Sequence, residues 1–183
     1  MNKLLKLPLF LGIAAAACGG VLAGVNALTS PIIIANQEKA ENQAFYDTFA
    51  EFGSDLVIDK TLEVNDTLKK AGVTSKASVT AEGLSAIVYS CTVKGAATAG
   101  GNPLSFQVSF ANGKYYGYTT TASSETAGYG DKTFDYLSST LPGLDASTAL
   151  STPSNVAGAT QTWNSVSAAI TVCAADYVKN HNK

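Results

Sequence analysis

Between Lys6 and Glu38 the chain runs for 31 residues, from Leu7 to Gln37, without one charged side chain. Its most apolar part, Leu7 to Leu28, counts 22 residues, about 33 Å of helix at 1.5 Å per residue, enough to cross a hydrocarbon core of roughly 30 Å. This predicts a transmembrane helix over 7–28. Lys3 and Lys6 precede it, so the excess of positive charge at that end assigns residues 1–6 to the cytoplasm and the rest of the chain to the outer face. Gly12, Gly19, Gly20 and Gly24 would weaken a helix in water, but in a membrane small residues let a second helix approach closely. That suits a packed complex of several membrane subunits. Cleavage near residue 18, or lipidation at Cys18 after Ala15–Ala17, is the competing reading. Either would leave GGVLAGVNALTSPIII as an unusually apolar new start, so the retained single-pass anchor is preferred.

Beyond the anchor, Thr29 or Ser30 is placed to cap a second helix with Pro31 at its first position. Ile34, Phe45, Phe49 and Phe52 then fall near one helical face, with Gln37, Glu38, Lys39 and Glu41 mostly on the other. The expectation is a stalk helix over 29–53, stopped by Gly53, that packs its aromatic face on the domain beyond.

Composition removes most chemistries from that domain. Charged residues are 14% of the chain, against roughly 25% in soluble domains. All twelve basic residues are lysine and the net charge is −2, which gives nucleic acid nothing to bind. The single histidine, His181, excludes a His-based relay or a His-rich zinc site in the body of the domain. Three scattered cysteines, Cys18, Cys91 and Cys173, form no CxxC motif. No metal site and no catalytic acid, base or nucleophile is expected.

Residues 55–80 read as mixed, with a short helix near Glu63–Ala71 closed by Gly72. After them the period becomes two. Ile87, Tyr89, Cys91 and Val93 alternate with Ala86, Val88, Ser90 and Thr92, and Leu104, Phe106, Val108 and Phe110 alternate with Ser105, Gln107 and Ser109. Asn112-Gly113 is a strong hairpin signal, so Lys114–Thr121 returns as the partner strand. Trp163, Val166, Ile170, Cys173 and Tyr177 recur at spacings of three and four, which predicts a C-terminal helix over 163–179. The fold class is α+β: one N-terminal transmembrane helix, then an outer domain, 54–183, with a small antiparallel sheet and flanking helices. Cys91 and Cys173 each suit an apolar position, so two buried thiols and a disulfide both remain open.

Two segments have the composition of a ligand site. Ser123–Lys132 follows the hairpin and contains Gly128 and Gly130, which let a ligand lie close to the backbone. It also reads as a plain strand-to-helix connection. Asn155–Thr162 precedes the last helix, where small residues surround Thr160, and the free amides and dipole of a helix start suit a phosphate. Thr160 or Thr162 could equally be a simple cap.

Together, and in this order, the two segments resemble the FMN-binding domain of the G subunit of the Rnf ion-translocating electron-transport complex and of the C subunit of the sodium-pumping NADH:quinone reductase. The family's first motif reads much like ETPGLGDK, where this chain has Glu125-Thr126-Ala127-Gly128-Tyr129-Gly130-Asp131-Lys132. The second reads like (S/T)GATxT, where this chain has Ala157-Gly158-Ala159-Thr160-Gln161-Thr162. The anchor and stalk share the family's layout, and the short length is closer to the Rnf G subunit. Departures stand at Ala157 in place of Ser or Thr, at Ser154 in place of an Asp six residues before Thr160, and at Ala127 and Tyr129 in place of Pro and Leu.

The resemblance implies FMN joined by its phosphate to the Thr160 hydroxyl as a phosphoester, attached by a separate FAD-dependent flavin transferase. Gly158, Ala159 and Thr162 would surround the tether, and Glu125, Thr126, Gly128, Tyr129 and Gly130 would hold the ring, mostly through backbone groups. Tyr129 could stack on the ring or serve as an ordinary core aromatic. The chain would then be an electron-carrier subunit on the outer face of the cell membrane, with other membrane subunits of an Rnf-type complex as partners. That complex couples ferredoxin and NAD oxidoreduction to ion movement. The alternatives are a structural or assembly paralogue without flavin, motivated by Ala157 and Ser154, and a standalone flavoprotein of extracellular electron transfer.

Overall fold

A computed structural model describes residues 3–52, 56–94, 103–123, 125, 130–154 and 159–181. It divides into two units, Met1–Lys39 and Ala40–Lys183. The first is helical. Helix α1 runs Lys3–Thr48, and within it Phe10–Ile33 is a 24-residue stretch long and apolar enough to cross a membrane, with none of it buried. The expected cap at Thr29 or Ser30 does not form, because both hydroxyls bond one turn back inside a continuous helix. Thr29 Oγ1 donates to Val25 O (2.9 Å) and Ser30 Oγ to Asn26 Oδ1 (3.4 Å), a use of such hydroxyls that competes with capping.

The second unit is built on a five-stranded antiparallel meander, β1 Val57–Asp59, β2 Val73–Ala81, β3 Leu84–Lys94, β4 Pro103–Ala111 and β5 Lys114–Ala122, in that spatial order. The β4–β5 turn has Asn112 at φ 52° and Gly113 at φ 75°, the doubly positive pair that a tight hairpin requires. On one face Ile87, Tyr89 and Cys91 of β3 and Leu104, Phe106, Val108 and Phe110 of β4 join a single apolar cluster. It is closed by α2 (Asp66–Lys70), α3 (Asp131–Thr140) and α4 (Thr160–Asn180). All five expected stripe residues of α4, from Trp163 to Tyr177, are buried in it.

On the opposite face, Phe45 (1% exposed) from the last turn of α1 and Phe49 (0%) just beyond it are buried against Ala77, Val79, Leu84, Ala86 and Val88. Phe49 also stacks on Tyr116, with ring centroids 4.9 Å apart. The aromatic face of the stalk therefore packs on the sheet as its spacing predicts, and Phe52 is partly buried there. Gly53 and the side chain of Ile34 lie outside the described residues. This packing explains why the polar half of β4 is buried too: Gln107 Nε2 donates to Glu41 O (3.1 Å) and to Ser90 Oγ (3.3 Å).

Residues 55–80, read as mixed, contain β1 and β2 as well as the short helix. Asn65 caps α2 through Oδ1, which accepts from Leu68 N at 3.0 Å. Gly72 follows at φ +92°, and a Cβ there would lie 2.6 Å from Thr92 O, so only glycine lets β3 close on the turn (Thr92 N to Gly72 O, 2.7 Å).

Candidate functional site

Helix α4 begins at Thr160, one residue after Ala159, which is buried and offers no side chain to cap the helix. Trp163 N bonds to Ala159 O at 2.9 Å, so the amides of the first turn point out of the helix start. That turn holds no acidic residue. Thr160 and Thr162 lie on roughly opposite sides of the turn, because two residues advance a helix by about 200°. Thr160 is exposed. Thr162 is fully buried, on the side of Trp163 and Val166.

The first segment meets this turn through Glu125. Thr162 Oγ1 donates to Glu125 Oε2 at 3.1 Å, across 37 positions of sequence. Glu125 is held in turn by its own amide, which bonds Ser123 Oγ at 3.1 Å, and by Gly130. Gly130 precedes α3 with an ordinary φ of −65°, so it is not needed for backbone conformation. It is needed for space: a Cβ at that position would lie 2.3 Å from Glu125 Cβ. Glu125 therefore lies over Gly130 and reaches the buried hydroxyl of Thr162, so described residues of the two segments meet there.

Beside it, Tyr136 of α3 meets Trp163 edge to face, with centroids 5.8 Å apart and planes at 69°. A cavity of about 130 Å³ lies under this pair, lined by Leu137, Leu141, Leu144, Leu150 and Ser151 among others. That is below the roughly 300 Å³ at which small-molecule pockets begin.

Residues 2–47 match the family model described as the RnfG N-terminal region. The chain thus resembles the RnfG subunit over the anchor and most of the stalk, about a quarter of its 183 residues. The RnfG match ends well before either of the two segments. No curated protein and no solved structure matches the chain.

Among the residues expected at the site, Glu125, Gly130, Ala159, Thr160 and Thr162 are brought together as described. Thr126, Gly128 and Tyr129 of the first segment and Gly158 of the second lie outside the described residues. Nothing in the residue pattern marks Glu125 as the partner of Thr162; its position before two glycines marks a turn, not a partner. The pattern also hid a buried charged group at the other end of α4. There Asp176 accepts from Lys76 Nζ (2.7 Å) and from the Tyr89 hydroxyl (2.8 Å). The two charged side chains are 7% and 9% exposed. Burial would raise the Asp176 carboxyl, but the hydrogen bonds from Lys76 and Tyr89 and the lysine charge outweigh it and hold the group below its ordinary range. The Tyr89 hydroxyl is pushed well up, first by burial and then by Asp176.

Proposed function

We propose that this chain is the FMN-carrying subunit of an Rnf-type complex, anchored by α1 and relaying electrons on the outer face of the membrane. The observation that carries the reading is the Thr162–Glu125 bond, which unites two segments resembling the family's FMN motifs and leaves Thr160 exposed at the start of α4. The RnfG match over residues 2–47 supports membership of the complex. Lys3 and Lys6 support a cytoplasmic N-terminus.

The residues present fit a phosphoester at Thr160. A separate transferase must reach the hydroxyl it modifies; Thr160 is open to solvent, whereas Thr162 is buried with its hydroxyl engaged. The first-turn amides and the helix dipole stabilise the negative charge that the ester keeps. Glu125, seated over Gly130, takes a hydrogen bond from Thr162 in the first turn of the helix that carries the tether point. The 130 Å³ cavity beside Trp163 is too small for a ring system. FMN supplies the chemistry, accepting one or two electrons, and the protein supplies tether, orientation and electrostatics. No side chain of this chain has to act as acid, base or nucleophile.

Flavin fluorescence on a denaturing gel, with intact mass, tests the reading for the full chain exported alongside a flavin transferase. The wild type and Thr162→Ser should carry one FMN, and Thr160→Ala none. A wild type without a fluorescent band would overturn the flavin reading in favour of a structural subunit.

A further inference from the structure

Cys91 and Cys173 are 82 positions apart in the sequence, yet their sulfur atoms lie 3.7 Å apart. Cys91 projects from β3 and Cys173 from α4, and they are 1% and 0% exposed in the same apolar cluster. A disulfide needs sulfurs about 2.05 Å apart. The two atoms are already in contact, about 1.7 Å beyond bonding distance, an approach of the size that side-chain rotation supplies. The loop so closed, residues 91–173, contains both segments of the candidate site, and α4 is the helix that begins with Thr160.

We propose that Cys91 and Cys173 are joined as a disulfide while the domain folds on the outer face of the membrane. The proposal rests on the outward placement argued above and is independent of the flavin. The oxidant is a protein of the thiol–disulfide exchange class that carries a reactive disulfide. The thiolate of one cysteine attacks that disulfide, forming a mixed disulfide and releasing one oxidant thiol. The thiolate of the other then attacks the bound sulfur, forming the Cys91–Cys173 bond and expelling the second oxidant thiol. Two electrons pass to the oxidant, and the two thiol protons end on its dithiol. The exchange precedes burial. In the folded domain the contact with Cys91, and then burial, push the Cys173 thiol well up, which starves it of the thiolate that exchange requires. The same burial shields the finished bond from reductants.

The test uses the full chain, exported with the flavin transferase. Free thiols are alkylated in denaturant before and after reduction and counted by intact mass. Linked peptides are mapped, the sidedness of the domain is read by protease on spheroplasts, and flavin is read by gel fluorescence. Two more adducts after reduction, with a linked peptide pair carrying Cys91 and Cys173, are expected. Refolded from denaturant in the presence of reductant, wild type should have a Tm about 10 °C below that of the untreated protein, while Cys91→Ala/Cys173→Ala should have the same Tm either way. Equal adduct counts in a protease-accessible domain overturn the disulfide, whatever the flavin shows. A protected domain with equal counts overturns the outward placement and the disulfide together. Two extra adducts without fluorescence sustain the disulfide and overturn the flavin reading alone.

Discussion

The two ends of α4 are built on opposite principles. The helix has 21 residues, so about 30 Å separates them. Near its C-terminal end, Asp176 takes hydrogen bonds from Lys76, Tyr89 and Asn180, and Tyr177 stacks on Phe110 at 4.9 Å while its hydroxyl accepts from Gly113 N. Near its N-terminal end, no described side chain caps the helix and the first-turn threonine is exposed. Charges that are buried and paired fix the distant end to the sheet. On the proposed reading, the open end keeps its amides and one hydroxyl for the flavin phosphate. A helix used to carry a cofactor needs both, because a tether point is useful only on a body that does not move with it.

The largest test of that contrast is Asp176→Ala. It leaves the Lys76 ammonium buried without its carboxylate and should cost about 3–5 kcal/mol, read as a Tm drop of roughly 10 °C or more in thermal unfolding. Flavin attachment, measured well below the transition, should be unchanged. Replacing both partners by apolar residues, Lys76→Met with Asp176→Leu, should recover most of the loss. A Tm unmoved by Asp176→Ala would mean that the C-terminal end is not the fixed one.

Gly130→Ala comes next and strikes the open end. The new Cβ competes with Glu125 for space, since the two carbons would lie 2.3 Å apart. Glu125 Cβ is fixed to its backbone and cannot rotate away, so the chain at Glu125 must shift; about 1–3 kcal/mol is expected, together with loss of the Thr162–Glu125 bond. Flavin per chain, as the ratio of gel fluorescence to protein stain, should fall. If it does not, the segment around Glu125 has no part in holding the group.

Thr162→Val removes the donor and keeps the shape. It should cost about 1 kcal/mol and reduce flavin loading less than Gly130→Ala does, with Thr162→Ser restoring both. Equal effects of Val and Ser would show that packing, and not the hydroxyl, joins the two segments.

The same contrast governs how much could be read from the sequence. The strands with period two, the Asn112-Gly113 turn and the stripe from Trp163 to Tyr177 were legible because one rule, burial of one face, decides each of them. β2 was not, because Lys76 occupies one of its buried positions and a bulge between Val73 and Ser75 shifts its register. The burial of Lys76 depends on Asp176, a hundred residues away. At the open end the threonine and its small neighbours were visible as a motif. The glutamate that braces them was visible only as a residue of a turn, since its partner is fixed by how α3 and α4 pack. The expected break in α1 at Thr29 failed for a local reason: a hydroxyl can serve a carbonyl one turn back as readily as it can cap.

Acid should act on the fixed end. Burial, then the charge of Lys76, lowers the pKa of His181 from its ordinary 6.5, against the pull of Asp176. The unfolded chain therefore takes up that proton first, and stability falls as pH drops through 6.5 toward the folded value. Asp176 lies below its ordinary 3.8, so its contribution is complete above that pH and is lost on further acidification. Denaturant unfolding between pH 8 and 3 should show two successive declines. The upper one should vanish in His181→Gln and the lower one should shrink in Asp176→Asn, since Asp59 and Asp145 are also held below 3.8 by hydrogen bonds from Thr61 and Ser147, while Thr160→Ala keeps both. A Thr160→Ala profile that differs from wild type would place titrating groups at the open end and remove the distinction between the two ends.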